Sequence, residues 1–233
     1  MLRAQFSYRL VGLIERVSPG GFAAKLVKLL GLKIPVTPRS LAATLMKTSG
    51  GFLNDLEKRL EEFNNEHPDA KIFVSQRCAA AIAVELLCAL SWLALSILSR
   101  DDFARDQELF GTYALETFEE LEKLLDDGTT VVLFKQVGQE TRELYLFDKP
   151  SLRELAAAGG EVVLGLFREV IDMAEREPNW LGIYLFKARM RIAARLPVDP
   201  RSIYYMEFSM FFGIAIQTSA ELFEELRPVS ASS

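Results

Sequence analysis

From Cys78 to Ser99, CAAAIAVELLCALSWLALSILS, the chain is apolar on every side of a helix and carries one ionisable acid or base, Glu85. Ala and Leu dominate it, and both favour helix. It has no internal Pro or Gly. As a helix it is roughly 33 Å long, enough to cross a domain or a bilayer. A helix that is apolar all round has to be buried, in protein or in lipid. Its Ala and Ser content is only weakly lipophilic, Glu85 would be costly in lipid, and the flanks Arg77 and Arg100-Asp101-Asp102 carry no one-sided positive bias. The pattern therefore predicts a core helix. A second stretch, Ser202 to Ala220 (SIYYMEFSMFFGIAIQTSA), repeats the pattern with one acid, Glu207. The expected fold is mainly α: a multi-helix bundle around these two buried apolar helices, with one β-hairpin insertion.

Elsewhere the apolar positions recur at helical spacing. Leu2, Phe6, Leu10, Leu13, Ile14 and Val17 form one such face, ended by Ser18-Pro19-Gly20-Gly21. Phe22, Leu26, Leu29 and Leu30 form a second, flanked by Lys25 and Lys28. Thr37 before Pro38 is an N-cap followed by a proline at the first helical position, predicting a helix to about Thr48. Ser49-Gly50-Gly51 reads as its end. Leu53, Leu56, Leu60 and Phe63 then mark an amphipathic helix over 52–65. Ala70 to Gln76 fits either a short strand or the first turns of the central helix.

Asp101 and Asp102 suit a cap, and Asp106 to Asp127 reads as an acidic helix presenting Leu109, Tyr113, Phe118, Leu121 and Leu125, stopped by Gly128. Thr129 to Asp148 is rich in β-branched and aromatic residues on both sides of Gly138-Gln139-Glu140-Thr141, which predicts the hairpin. Ser151 and Glu154 form a capping box, and Gly159-Gly160 closes the helix it opens. Amphipathic helices follow over Glu161–Glu177 and Trp180–Leu196. Asp199-Pro200-Arg201-Ser202 caps the second apolar helix, which is expected to reach about Leu226, with a frayed tail over 228–233.

Charge divides the chain. From Met1 to Asn54 eight basic residues stand against the single acid Glu15, a balance of +7; the overall −5 leaves −12 for the remaining residues. The expected division is a basic N-terminal segment, 1–50, and an acidic helical domain, 51–233. Cys78 and Cys88 lie about 15 Å apart on one helix and cannot bridge within it, so they read as buried free thiols of a cytoplasmic protein. No secretory leader is apparent.

Enzyme signatures are missing: the chain has no GxxxxGK[ST], GxGxxG, HExxH, GxSxG or paired CxxC. The one histidine, His67, sits in a polar turn. One histidine and two buried cysteines predict neither a metal site nor a cofactor. Glu85 and Glu207 are the sharpest chemical oddity. If their helices adjoin, two carboxylates would share a proton, a metal or a small ligand; the plainer expectation is that each meets an arginine. A second candidate is the stripe Trp180, Tyr184, Arg191 and Arg195 with Lys187 nearby, whose mixed aromatics and arginines suit a nucleic-acid backbone or an acidic protein. Its plainer reading is a solvated face whose aromatics cap the core.

The functional expectation is a non-enzymatic helical interaction subunit of a larger assembly, a nucleoprotein one included. Lys25, Lys28, Lys33, Arg39, Trp180, Tyr184, Lys187, Arg191 and Arg195 would contact an anionic partner, protein ahead of nucleic acid. The alternatives are a peripheral membrane protein using Phe22–Leu32 as an interfacial helix, and a carboxylate site at Glu85 and Glu207.

Overall fold

The computed structural model describes residues 33–100, 107–126, 151–158 and 178–229. The expected helices over 1–17, Phe22–Leu32 and Glu161–Glu177, the Asp101-Asp102 cap, the Gly128 stop, the hairpin at 129–148 and the last residues of the tail lie outside them. Within them the chain is a helical bundle with one small parallel sheet. Its elements are β1 (Ile34–Val36), α1 (Pro38–Glu66), α2 (Gln76–Leu98), α3 (Gln107–Asp126), α4 (Leu152–Ala158), α5 (Trp180–Arg195), α6 (Ile203–Glu224) and β2 (Leu226–Pro228).

α2 is the axis of the bundle. It packs against α1, α4, α5 and α6. Among the described residues it alone has the length and hydropathy to cross a membrane, and 83% of its most apolar window is buried inside the bundle. Ser75 caps it, its hydroxyl accepting from the Cys78 N–H at 3.2 Å.

α1 begins as the sequence predicts. Thr37 and Ser40 make a reciprocal capping box, with Pro38 at the first position. It does not stop at Thr48. One helix of 29 residues runs through Ser49-Gly50-Gly51 to Glu66, so the expected break is absent and the division at residue 50 falls inside a helix. Two glycines disfavour helix by about 1 kcal/mol each. Burial on either side offsets that: Leu45, Leu53 and Leu56 are almost fully buried, and Ser49 donates to the Ala83 carbonyl of α2 at 3.0 Å.

Residues 71–75 are extended, neither paired strand nor helix. Ile72 and Val74 point inward and Phe73 outward. The buried Asn64 side chain stands in for a neighbouring strand, accepting from the Ile72 N–H at 2.7 Å and donating to its carbonyl at 2.9 Å. α3 lays Tyr113, Leu121 and Leu125 on α1 and leaves Leu109 exposed. α4 opens with the expected Ser151–Glu154 capping box.

α6 starts at the predicted Ser202 cap but is buried on one side only. Phe208, Phe212, Ile216 and Phe223 enter the core; Ile203, Met206, Met210 and Ile214 face outward. The expectation of two central helices thus holds in full for α2 and on one face for α6. The chain then turns into β2, which pairs in parallel with β1, Ile34 opposite Leu226 and Val36 opposite Pro228. The Ile34 N–H donates to the Glu225 carbonyl at 2.7 Å, and the Val229 N–H to Val36 at 2.9 Å. Pro228 and Val229, expected to fray, are held in this clamp.

Candidate functional site: a buried carboxylate beneath two arginines

α2 and α5 meet antiparallel along one face. Cys78, Glu85 and Trp92 recur at seven-residue intervals on α2 and so lie on one side of it. Trp92 sets its ring edge against Trp180, 5.9 Å between centroids. One step along, Ala89 packs with Tyr184 and Ala188 in a small cluster separate from the main core. The next step brings Glu85 to Arg191, and the last brings Cys78 to Arg195. Ala89 and Ala188, both fully buried, put little bulk between the two helices at this step.

Glu85 is fully buried. The Arg191 Nε donates to its Oε1, and the Arg195 Nη2 lies 3.5 Å from its Oε2. Both arginine side chains are still partly accessible, 31% and 22%, so the cluster reaches from the core to the surface. The Arg191 guanidinium also sits 5.7 Å from the Tyr184 ring centre. Cys78 donates its thiol to the Arg195 carbonyl at 3.2 Å. Burial pushes that thiol upward from its ordinary value, and the Arg195 charge only partly opposes it. A thiol held neutral is a poor nucleophile.

The aromatic and arginine stripe is therefore the inner face of α5. Tyr184 is fully buried, Trp180 is half-buried against Trp92, and Arg191 and Arg195 are engaged with Glu85; of the five, Lys187 is the exposed one. The spacing that aligned them was real, but it marks the side that packs. The sequence could not say which side of α5 faces α2, because a partner for Arg191 and Arg195 sits 106 and 110 positions away.

Glu207 has its own arginine. Arg59 of α1 bridges it and Glu62, and these contacts hold the Arg59 guanidinium more firmly protonated than usual. The plainer expectation, each carboxylate meeting an arginine, describes both sites, but of the two expected buried carboxylates only Glu85 is buried; the Glu207 side chain is 40% exposed, because it lies at the edge of the outward face of α6. Among the described residues no three His, Cys, Asp or Glu side chains gather to hold a metal ion. His67 caps the end of α1, its N–H bonded to the Phe63 carbonyl, and its ring packs between Phe63 and Tyr204 at 4.7 and 4.9 Å.

Of the remaining basic candidates, Lys33 and Arg39 are exposed beside β1 and at the start of α1. Arg39 lies near enough to Lys123 to affect it, on a surface shared with Glu119 and Glu120, so its surroundings are of mixed sign. Lys25 and Lys28 lie outside the described residues. The feature that sequence reasoning missed is the outward face of α6, where four large apolar side chains meet solvent. The apolar composition of Ser202 to Ala220 was visible, but not which quarter of the helix would remain uncovered. Compared with family models, curated proteins and solved structures, the chain shows no match.

Proposed function

We propose that this chain is a non-catalytic interaction subunit that docks through α6. The carrying observation is the contiguous row Ile203, Met206, Met210 and Ile214, each between 61 and 74% exposed, whereas Phe73, Leu109 and Leu115, also exposed, share no helical stripe. Solvated apolar rows of this size mark interaction sites more often than ordinary surface. Methionine suits such a face because its flexible, polarizable side chain adapts to a partner. The Glu85 cluster fits this reading as scaffold: it locks α5 to α2, and α5 in turn carries α6.

Docking to an anionic partner is a narrower form of the proposal. It rests on Lys33 and Arg39, with Lys187 on α5, since Arg191 and Arg195 already neutralise Glu85. A cytoplasmic setting belongs to the same proposal and is supported by the placing of Cys78 and Cys88 ten residues apart on α2, about 15 Å, too far to bridge each other.

The test is capture by the full-length chain, wild type against Met210→Asp, with nucleic acid and anionic vesicles as separate probes. A bound species that Met210→Asp releases supports docking through α6. Binding that ignores Met210→Asp but falls with salt and with Lys33→Glu/Arg39→Glu supports the anionic form. Binding of nothing at all overturns both.

A further inference from the structure

We infer that the occupant of the α6 face is a second copy of this chain, packed antiparallel across a twofold axis near Met210. This deepens the interaction-subunit reading and rests on it.

Three observations converge. First, the exposed apolar residues follow a single helical stripe. Ile203, Met206, Met210 and Ile214 are spaced three, four and four apart, the spacing of a seam between two helices. Second, charge is arranged asymmetrically along the length of α6. Arg201 is exposed just ahead of the helix; Gln217, Glu221 and Glu224 are exposed at its far end. Arg201 and Glu221 lie roughly 30 Å apart along the axis. Such a face complements itself only when reversed. Antiparallel pairing with the axis at Met210 sets Met206 against Ile214 of the other copy and Ile203 against Gln217. It also brings Arg201 within a turn of the other copy's Glu221, twice over, as an isologous interface requires. Parallel pairing would set like charges together.

Third, the acid at the edge of the stripe is already neutralised. Glu207 lies beside Met206 and Met210, and Arg59 of α1 holds it. Pairing the stripe therefore buries no uncompensated carboxylate. The face broadens toward α5 through Phe186, 56% exposed, beneath the Arg189 guanidinium at 5.0 Å. Arg189 also crosses α6 at Gly213, where an added Cβ would come within 3.1 Å of it, so Phe186 and the stripe form one surface. Glutamates at one end of the face disfavour an anionic membrane or nucleic acid as occupant.

The experiment is sedimentation equilibrium on the full chain over a wide concentration range. The wild type should show a species of twice the 26.2 kDa chain mass. Met210→Asp sets two carboxylates together at the axis and should weaken dimerisation by about a hundredfold or more. Arg201→Glu, and separately Glu221→Arg with Glu224→Arg, should each weaken it by roughly tenfold. Mixing the two charge-reversed proteins restores opposite charges at both ends and should return the affinity to near wild type. All four positions are solvent-exposed, and circular dichroism should show unchanged folding. A dimer indifferent to Met210→Asp, or a mixture no tighter than its components, overturns the inference. A wild type that stays monomeric also overturns it: if Met210→Asp then abolishes capture of vesicles or another protein, the docking reading survives with a different occupant; if nothing is captured, that reading falls too.

Discussion

Arg191 donates through Nε to Glu85, a contact between side chains 106 positions apart in the chain. It fixes the register of α5 on α2. With Arg195 closing over the other carboxylate oxygen, the fully buried Glu85 becomes an affordable member of an otherwise apolar helix. Removing only the carboxylate should be costly, because both arginines then lose the buried oxygen atoms they share between α2 and α5. Glu85→Ala should lose about 3–5 kcal/mol in denaturant unfolding. Replacing all three, Glu85→Leu with Arg191→Met and Arg195→Leu, should recover much of that loss, since apolar side chains of similar volume often substitute for a buried ion cluster. A triple variant no more stable than Glu85→Ala would show that the cluster does more than hold the helices.

Asn64 holds the backbone of Ile72 with two hydrogen bonds, both buried. The expectation for Asn64→Ala is a loss of about 2–4 kcal/mol, from two lost bonds and a stranded N–H and carbonyl. Asn64→Asp keeps the acceptor for the Ile72 N–H but sets a buried carboxylate oxygen against the Ile72 carbonyl, so it should cost at least as much as Asn64→Ala at neutral pH. Fast exchange at Ile72 in the wild type would mean that the Asn64 bridge does not order this segment.

Local chemistry made part of the fold legible. Thr37-Pro38, Ser151 with Glu154, and Ser202 each announced a helix start, because capping is settled within four residues. The composition of 78–99 likewise required burial. What depends on tertiary partners was not legible. Ser49-Gly50-Gly51 reads as a stop until Ala83 and the leucines around it are in place. The face of α5 bearing Arg191 and Arg195 reads as a binding stripe until Glu85 is known to lie beneath it. The parallel pairing of Ile34–Val36 with Leu226–Pro228 joins three-residue segments from opposite ends of the described chain, too short to show a period of their own.

Gly50 and Gly51 sit mid-helix, and a Cβ added at either would meet nothing within 4 Å among the described residues. Nothing in the packing therefore calls for glycine. Gly50→Ala and Gly51→Ala should each stabilise the protein by about 0.5–1 kcal/mol, through a less flexible unfolded chain and better helix propensity. The pair should be close to additive. Thermal unfolding of the full chain measures this. A decrease in midpoint for either would indicate that α1 bends or opens at this point in solution, and that the glycines serve that motion.

Tyr113 ties α3 to the terminal clamp. Its hydroxyl donates to the Val36 carbonyl at 2.9 Å, the same oxygen that receives the Val229 N–H, and its side chain is almost wholly buried. Burial pushes the phenol well above its ordinary value of 10.0. A raised folded-state value means that the folded protein keeps its proton where the unfolded chain releases it. The associated stability is complete below pH 10 and is lost as pH climbs from there toward the folded-state value. Unfolding free energy should therefore fall above pH 10 by up to about 1.4 kcal/mol per pH unit from this group. Cys78, also raised by burial, begins its smaller loss nearer its ordinary value of 9.0. Tyr113→Phe should cost about 1 kcal/mol at neutral pH from the missing hydrogen bond and flatten the slope above pH 10. Cys78→Ala should instead remove the earlier onset and leave the later slope. Identical slopes for wild type and Tyr113→Phe would show that this phenol ionises without opening the clamp, and that the β1–β2 pairing holds the two ends without it.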